Sequence, residues 1–136
     1  MNRRMLSKED EEAAGDEIEV RREDQDKINR FSRLHQRELA LEEELKNKNK
    51  EKEELDDLET ELELVEDEDE LVQYKIGDSF FHIPLEQAKE MLGIAAAKLI
   101  KEIEALDDKL ETIRKEMTGL KVELYARFGK TINLET

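Results

Sequence analysis

The chain has 136 residues, of which 45% are charged and 37% apolar, with 38 acidic and 23 basic side chains and a net charge of −15. Its length bounds it to one domain, and so much charge beside only two Tyr, four Phe and no Trp cannot fill a compact globular interior. The absence of cysteine excludes a disulfide framework, a thiolate metal site and a cysteine nucleophile, while the excess negative charge argues against nucleic acid and against an anionic membrane surface.

Met1 to Arg22 is polar and without period. Glu9, Asp10, Glu11 and Glu12 form a like-charge block, followed by Gly15. Residues 1–22 are expected to be a disordered acidic arm. The segment has no apolar stretch of the kind a secretory leader carries. With no cysteine in the chain, a cytoplasmic setting, with a nuclear pool also open, is the expectation. No run approaches the ~18 apolar residues of a membrane span.

From Asp24 to Asp69 there is neither Pro nor Gly. Leu34, Leu41, Lys48, Leu55 and Leu62 recur every seven residues, with Phe31, Glu38, Leu45, Lys52 and Glu59 as the companion set. The alternating three-and-four spacing is the seam of a left-handed coiled coil. Four of its ten positions are charged, and a lysine there can lay its methylenes along the seam while its ammonium stays wet. A first helix over 23–70 is predicted.

The period then changes from 3.5 to 2. Residues 71–83 read as two short strands around Gly77-Asp78, a two-residue hairpin turn. Folding there pairs Val72 with Ile83, Gln73 with His82, Tyr74 with Phe81, Lys75 with Phe80 and Ile76 with Ser79. One face carries Val72, Tyr74, Ile76, Phe81 and Ile83, and is almost wholly apolar. Phe80 lies on the other, with Leu71, Gln73, Lys75 and His82.

Pro84 suits the first position of a second helix, predicted over 84–128. Its seam, Leu92, Ala96, Leu99, Ile103, Leu106, Leu110, Ile113, Met117, Leu120 and Leu124, is apolar throughout. Gly129 stops the helix, and Arg127 just inside its end suits the helix dipole. A tail over 129–136 follows. The fold class is therefore mainly α: a long antiparallel two-helix coiled coil with a single β-hairpin between the helices.

A lone two-stranded hairpin is marginal in water. This one has an apolar face that its own helices cannot easily cover, and two edges of unpaired N–H and C=O groups. A larger sheet or barrel built from the hairpins of several subunits solves both problems. Val72, Tyr74, Ile76, Phe80, Phe81 and Ile83 are thus expected at a subunit interface. At the far end, Ile28, Phe31 and Leu34 approach Leu124, Tyr125 and Phe128, and the tail adds Ile132 and Leu134. These residues form either a plug sealing the coiled coil or a contact surface for another chain. Phe31 and Leu124, on the seam, suit the core; Tyr125, Phe128, Ile132 and Leu134 suit contact.

His35 and His82 have no Ser, Cys or second His at useful spacing, so neither reads as a catalytic base. The acidic run 66–70 lacks the glycine and the spacing of an EF-hand loop, and the five glycines are too scattered for a phosphate loop. No enzyme activity, cofactor or metal is expected.

The stretches EDQDKINRF at Glu23–Phe31, VQYKIGDSFFHIP at Val72–Pro84 and LYARFGKTINLE at Leu124–Glu135 resemble the β-class of the prefoldin family. The likeness covers roughly Glu23 to Glu135. It implies a prefoldin β-type domain over 23–135 in a heterohexamer of two α-class and four β-class subunits, this chain having three further β-class partners. The hairpins would build a β-barrel platform bearing six coiled-coil arms. The arm tips, here Ile28, Phe31, Tyr125, Phe128, Ile132 and Leu134, would hold unfolded proteins of the actin and tubulin class and deliver them to the cytosolic chaperonin without ATP. One departure is visible: the family often has Thr or Ser before the Glu-Asp pair, where this chain has Val20-Arg21-Arg22. A helix beginning later, with Asp24 as its cap, is one outcome, and fraying is the other. Two competing functions remain from the residues alone, a coiled-coil tether and an acidic chaperone for basic proteins.

Overall fold

The structure is a computed structural model that describes residues 19–65, 71–76 and 79–134, with the side chains of 73–81 and 130 outside the description. In chain order come α1 (Arg22–Glu63), β1 (Leu71–Ile76), β2 (Ser79–Pro84), α2 (Leu85–Phe128) and a 3-10 turn (Gly129–Thr131). The expected mainly helical architecture with one antiparallel hairpin is present. Two expectations fall outside the described residues, the arm up to residue 18 and the Gly77-Asp78 turn.

α1 begins at Arg22, not later. Asp24 does not cap it from the preceding position. It sits in the first turn, and its carboxylate accepts a hydrogen bond from the Arg21 backbone N–H at 3.0 Å. That is the reciprocal half of a capping box, in which the third helical residue reaches back to the cap N–H. A helix start without Ser or Thr is thereby satisfied. α1 also ends earlier than 70. It stops at Glu63, and Leu64 and Val65 continue only as i−3 turns onto Glu61 and Leu62. The last turn has no basic residue, so acidic side chains face the negative end of the helix dipole and oppose further extension.

The chain resolves into two compact units, one formed by residues up to Glu43 with those from Asp108 on, the other by Glu44–Asp107. In the first, Ile28, Phe31, Leu34 and Leu41 of α1 and Leu110, Ile113, Met117 and Leu124 of α2 are buried. Every position of the two seven-residue patterns that falls here is buried or half-buried. The one charged seam residue, Glu38, accepts from Arg114 Nε at 3.0 Å, and Glu42 takes a second guanidinium nitrogen at 2.7 Å. Arg30 grips Glu116 through two hydrogen bonds of 2.8 and 3.0 Å, and Lys27 lies 3.0 Å from Glu123. The hydrogen bond to Arg30 holds the Glu116 carboxyl below its ordinary range.

In the second unit the residues buried among those described, Leu85, Ala88, Leu92, Leu99 and Leu106, all come from α2. The α1 seam residues Leu45, Lys48, Lys52, Leu55, Glu59 and Leu62 are only half-buried. A seam with two ammonium groups must keep a route to water. Lys48 finds Glu102 of α2 at 2.8 Å, and Lys52 finds Asp56 at 3.3 Å. The hydrogen bond to Lys48 lowers the Glu102 carboxyl below its ordinary value. β1 and β2 pair with the expected register: Leu71 with Pro84, Val72 with Ile83, Tyr74 with Phe81 and Ile76 with Ser79.

Candidate interface and contact surfaces

The hairpin supplies the first candidate surface. Its two strands form a sheet of two among the described residues, so the outer edge of each has no strand partner there. Val72 and Ile83 are half-buried, and Leu71 is 57% exposed. Tyr74, Ile76, Phe80 and Phe81 hold their places in the backbone register, while their side chains lie outside the description. Pro84 closes β2 opposite Leu71, where a missing N–H is tolerated at a strand end. Leu85 and Ala88, each 1% exposed, follow at once on α2.

The second candidate surface is where both ends of the described chain meet. Ile28, Phe31, Leu124 and Phe128 are at most 2% exposed, and Ile132 and Leu134 are at most 5% exposed. The tail therefore folds back onto the helix ends, and five of the six expected contact residues, Ile28, Phe31, Phe128, Ile132 and Leu134, are buried in a sealing plug. The physical reason lies at Gly129. Its φ of +59° is the left-handed conformation that ends helices and that glycine adopts without a Cβ penalty. The chain reverses there through one 3-10 turn and becomes extended at Ile132. The Thr131 hydroxyl donates to the Phe128 carbonyl, satisfying one of the helix's terminal acceptors. Of the six, Tyr125 alone is exposed, at 41%, with Val122 at 65% three residues before it. That spacing puts the two on one strip of α2.

A buried ion pair borders this plug. Asp24 is 1% exposed. Arg127 Nε lies 2.7 Å from its carboxylate, off the N–H line, so the contact is an ion pair more than a hydrogen bond. Arg127 also donates from Nη2 to the Glu19 carbonyl at 2.8 Å. Burial by itself would raise the Asp24 carboxyl. The Arg21 N–H, the Arg127 guanidinium and the Arg21 side chain together override burial and hold it below the ordinary carboxylate range. Neither residue was expected at this site, yet the signal was available. Asp24 lies one heptad before Phe31, and Arg127 one heptad after Leu120, so both extend the seams by one step.

His35 is half-buried with Nδ1 3.4 Å from Glu38, and His82 is exposed. Among the described residues no group of acidic, His or Cys side chains is placed to hold a metal ion, and no helix is long and apolar enough to cross a membrane. The acidic run 66–70 lies outside the described residues.

Comparison with known proteins agrees with these elements. A family model described as prefoldin subunit matches residues 25–131. The chain is 40% identical over 123 residues to prefoldin subunit 4 of Homo sapiens, covering 90% of this chain and 92% of that protein. It is 46% identical over 113 residues to prefoldin subunit 4 of Saccharomyces cerevisiae, covering 83% and 87%. In fold it resembles the crystal structure of the prefoldin beta subunit from Thermococcus strain KS-1, with a TM-score of 0.74 over 82% of this chain and 97% of that one, at 13% identity.

Proposed function

Since the chain belongs to the prefoldin family, whose members are non-enzymatic chaperone subunits that assemble with one another, we propose that it is a β-class subunit of a heterohexamer with two α-class and three further β-class partners. In this reading the hairpin residues Val72, Tyr74, Ile76, Phe80, Phe81 and Ile83 join a shared β-barrel. The terminal unit holds unfolded proteins of the actin and tubulin class and passes them to the cytosolic chaperonin, and the complex works in the cytoplasm.

The observation that carries this reading is the apolar end of the terminal unit. Tyr125 and Val122 are exposed there, and Phe128 is buried together with Ile132 and Leu134 of the tail that follows it. An unfolded chain exposes apolar side chains, and one such end buries little area against it. Each contact is therefore weak. Six ends on one platform raise the effective concentration of every further contact, so holding becomes tight with no deep pocket. Weak single contacts also permit release without nucleotide hydrolysis.

Most of the excess charge lies away from the proposed client contacts. Twenty acidic and eight basic side chains fall between Glu44 and Asp107, so that segment carries −12 of the net −15. The apolar contact residues all lie outside it. The test uses the assembled hexamer and a chemically denatured client. Replacing Tyr125, Ile132 and Leu134 by Ser should weaken suppression of client aggregation while the hexamer stays intact. Unchanged suppression would refute the placing of client contact at this end.

A further inference from the structure

Charge is unevenly shared along this chain. Residues 1–18 carry six acidic and three basic side chains, with Glu9, Asp10, Glu11 and Glu12 consecutive. The described residues of the terminal unit, 19–43 and 108–134, carry eleven acidic and twelve basic side chains, a net of +1 in a chain of −15. Its cations gather on α1, where Lys27, Arg30, Arg33 and Arg37 follow one another with no acidic residue between Asp26 and Glu38. Glu123 and Glu116 of α2 meet the first two. Arg33 and Arg37 are exposed, and neither has an ion partner among the described residues. Arg37 borders a groove of about 540 Å³ between the two helices, with Lys109 of α2 also on it and the buried Leu34 and Ile113 in its lining. Lys109 is exposed and likewise without an ion partner among the described residues. Two acidic residues line the same groove: Glu116, already held by both hydrogen bonds from Arg30, and Asp108. Two cations there thus face a single carboxylate that no arginine or lysine has engaged.

We propose that this groove is the docking site of the chain's own acidic segment, Glu9–Glu12, with Arg37 and Lys109 as its ion partners and Arg33 beside its approach. The segment lies outside the described residues, and the argument for it is charge and reach. Glu12 stands ten residues before the start of α1 at Arg22, a span of up to about 33 Å when extended. Arg37 stands fifteen residues into α1, about 22 Å along the helix axis. The acidic block therefore reaches the groove by running back alongside α1. Exposed ion pairs are individually weak, but a short tether keeps the block at an effective concentration in the millimolar range, so pairs too weak to hold a free peptide can hold this one. The docked segment covers the unit's unengaged cations and keeps them from acidic segments of other chains. Nothing in this proposal depends on client contact at the terminal unit.

Carbodiimide cross-linking of the full-length chain in its assembled complex tests it, because the reagent joins a carboxylate to a lysine amine only where the two meet. Mass spectrometry of the digest should find Glu9–Glu12 joined to Lys109. Lys115, exposed on the same helix but off the groove and paired with Glu111 at 3.1 Å, supplies the control. Its link to Glu111 should be unchanged throughout, and its links to Glu9–Glu12 should be several-fold fewer than those of Lys109. Arg37→Glu leaves the reacting amine in place and should lower the Lys109 yield at least five-fold, while Arg37→Lys should keep it. Raising salt to 0.5 M, where the screening length falls to about 4 Å, should lower it as well. Where Arg37→Glu does not assemble, Arg37→Gln with Lys109→Gln replaces it: a glutamate-specific protease should then cut within residues 9–12 several-fold faster than in the parent. The proposal is overturned if Lys109 reacts with Glu9–Glu12 no more than Lys115 does, if Arg37→Glu leaves the yield unchanged, or if the protease rate does not move. Links from Lys109 to acidic residues of another subunit or of a client, in place of Glu9–Glu12, would overturn it too and assign the groove to an acidic segment of that chain.

Discussion

Leu124 and Leu58 offer a direct comparison of what the seam contributes. Leu124 is a seam residue of α2 with 0% exposure, whereas Leu58 lies off the α1 seam and is 44% exposed. Burying a leucine side chain is worth roughly 1.5–3 kcal/mol in transfer from water. Deleting it inside a packed core adds a cavity term, for a total of about 2–5 kcal/mol. Leu124→Ala should therefore destabilise the terminal unit by roughly 3 kcal/mol. Leu58→Ala removes little buried area and introduces a residue with high helix propensity, so its effect should stay within about 0.5 kcal/mol. The assay is urea unfolding of the full-length protein followed by far-UV circular dichroism, with hydrogen exchange locating the loss. The exchange effect of Leu124→Ala should centre on 24–34 and 117–134. Equal costs for the two substitutions would refute the assignment of the seam as the stabilising surface.

Three further outcomes follow from single features. Gly129→Ala forces a Cβ into the left-handed region at φ +59° and should cost roughly 1 kcal/mol, read as a drop in urea midpoint; no drop would mean that the turn relaxes. Asp24 has its folded-state pKa held below its ordinary value, so its contribution is complete above the unfolded Asp pKa of about 3.9. That contribution disappears as pH falls through the depressed folded value. The stability gap between the parent and Asp24→Asn should accordingly be widest near neutrality and close in acid, and a gap independent of pH would contradict the cause assigned to the shift. Val72→Ser with Ile83→Ser, at the paired base of the hairpin, should release the subunit from its complex on size-exclusion chromatography while helix content is kept; retention in the complex would count against the hairpin as interface.

The heptad pattern was legible because a helix pair repeats its burial at 3.5 residues and little else constrains so charged a chain. Even the charged seam positions Glu38, Lys48 and Lys52 are half-buried, because each finds an ion partner on the same or the facing helix. The hairpin register was equally legible, since a two-residue turn leaves one pairing that keeps the apolar residues together. What periodicity does not encode is the fate of ends. Ile132 and Leu134 carry no helical or strand period, and whether they point outward or fold back depends on the helix ends beneath them and on the left-handed turn at Gly129. The early stop of α1 at Glu63 follows from accumulated negative charge at a helix C-terminus, an effect a heptad count ignores. Asp24 and Arg127 sit on the seam lattice, yet from the sequence each reads only as a helix-end residue, one a cap and the other a partner of the dipole, and not as a pair. The 2.7 Å contact between them shows them to be partners.

The central claim is that this chain is one of six related subunits joined through their hairpins. Native mass spectrometry of the complex drawn from its own cells, through a tag on this chain, tests it most directly. The account predicts a single hexamer containing one copy of this chain, two α-class partners and three other β-class partners. A monomer, or a dimer of this chain with itself, would contradict it.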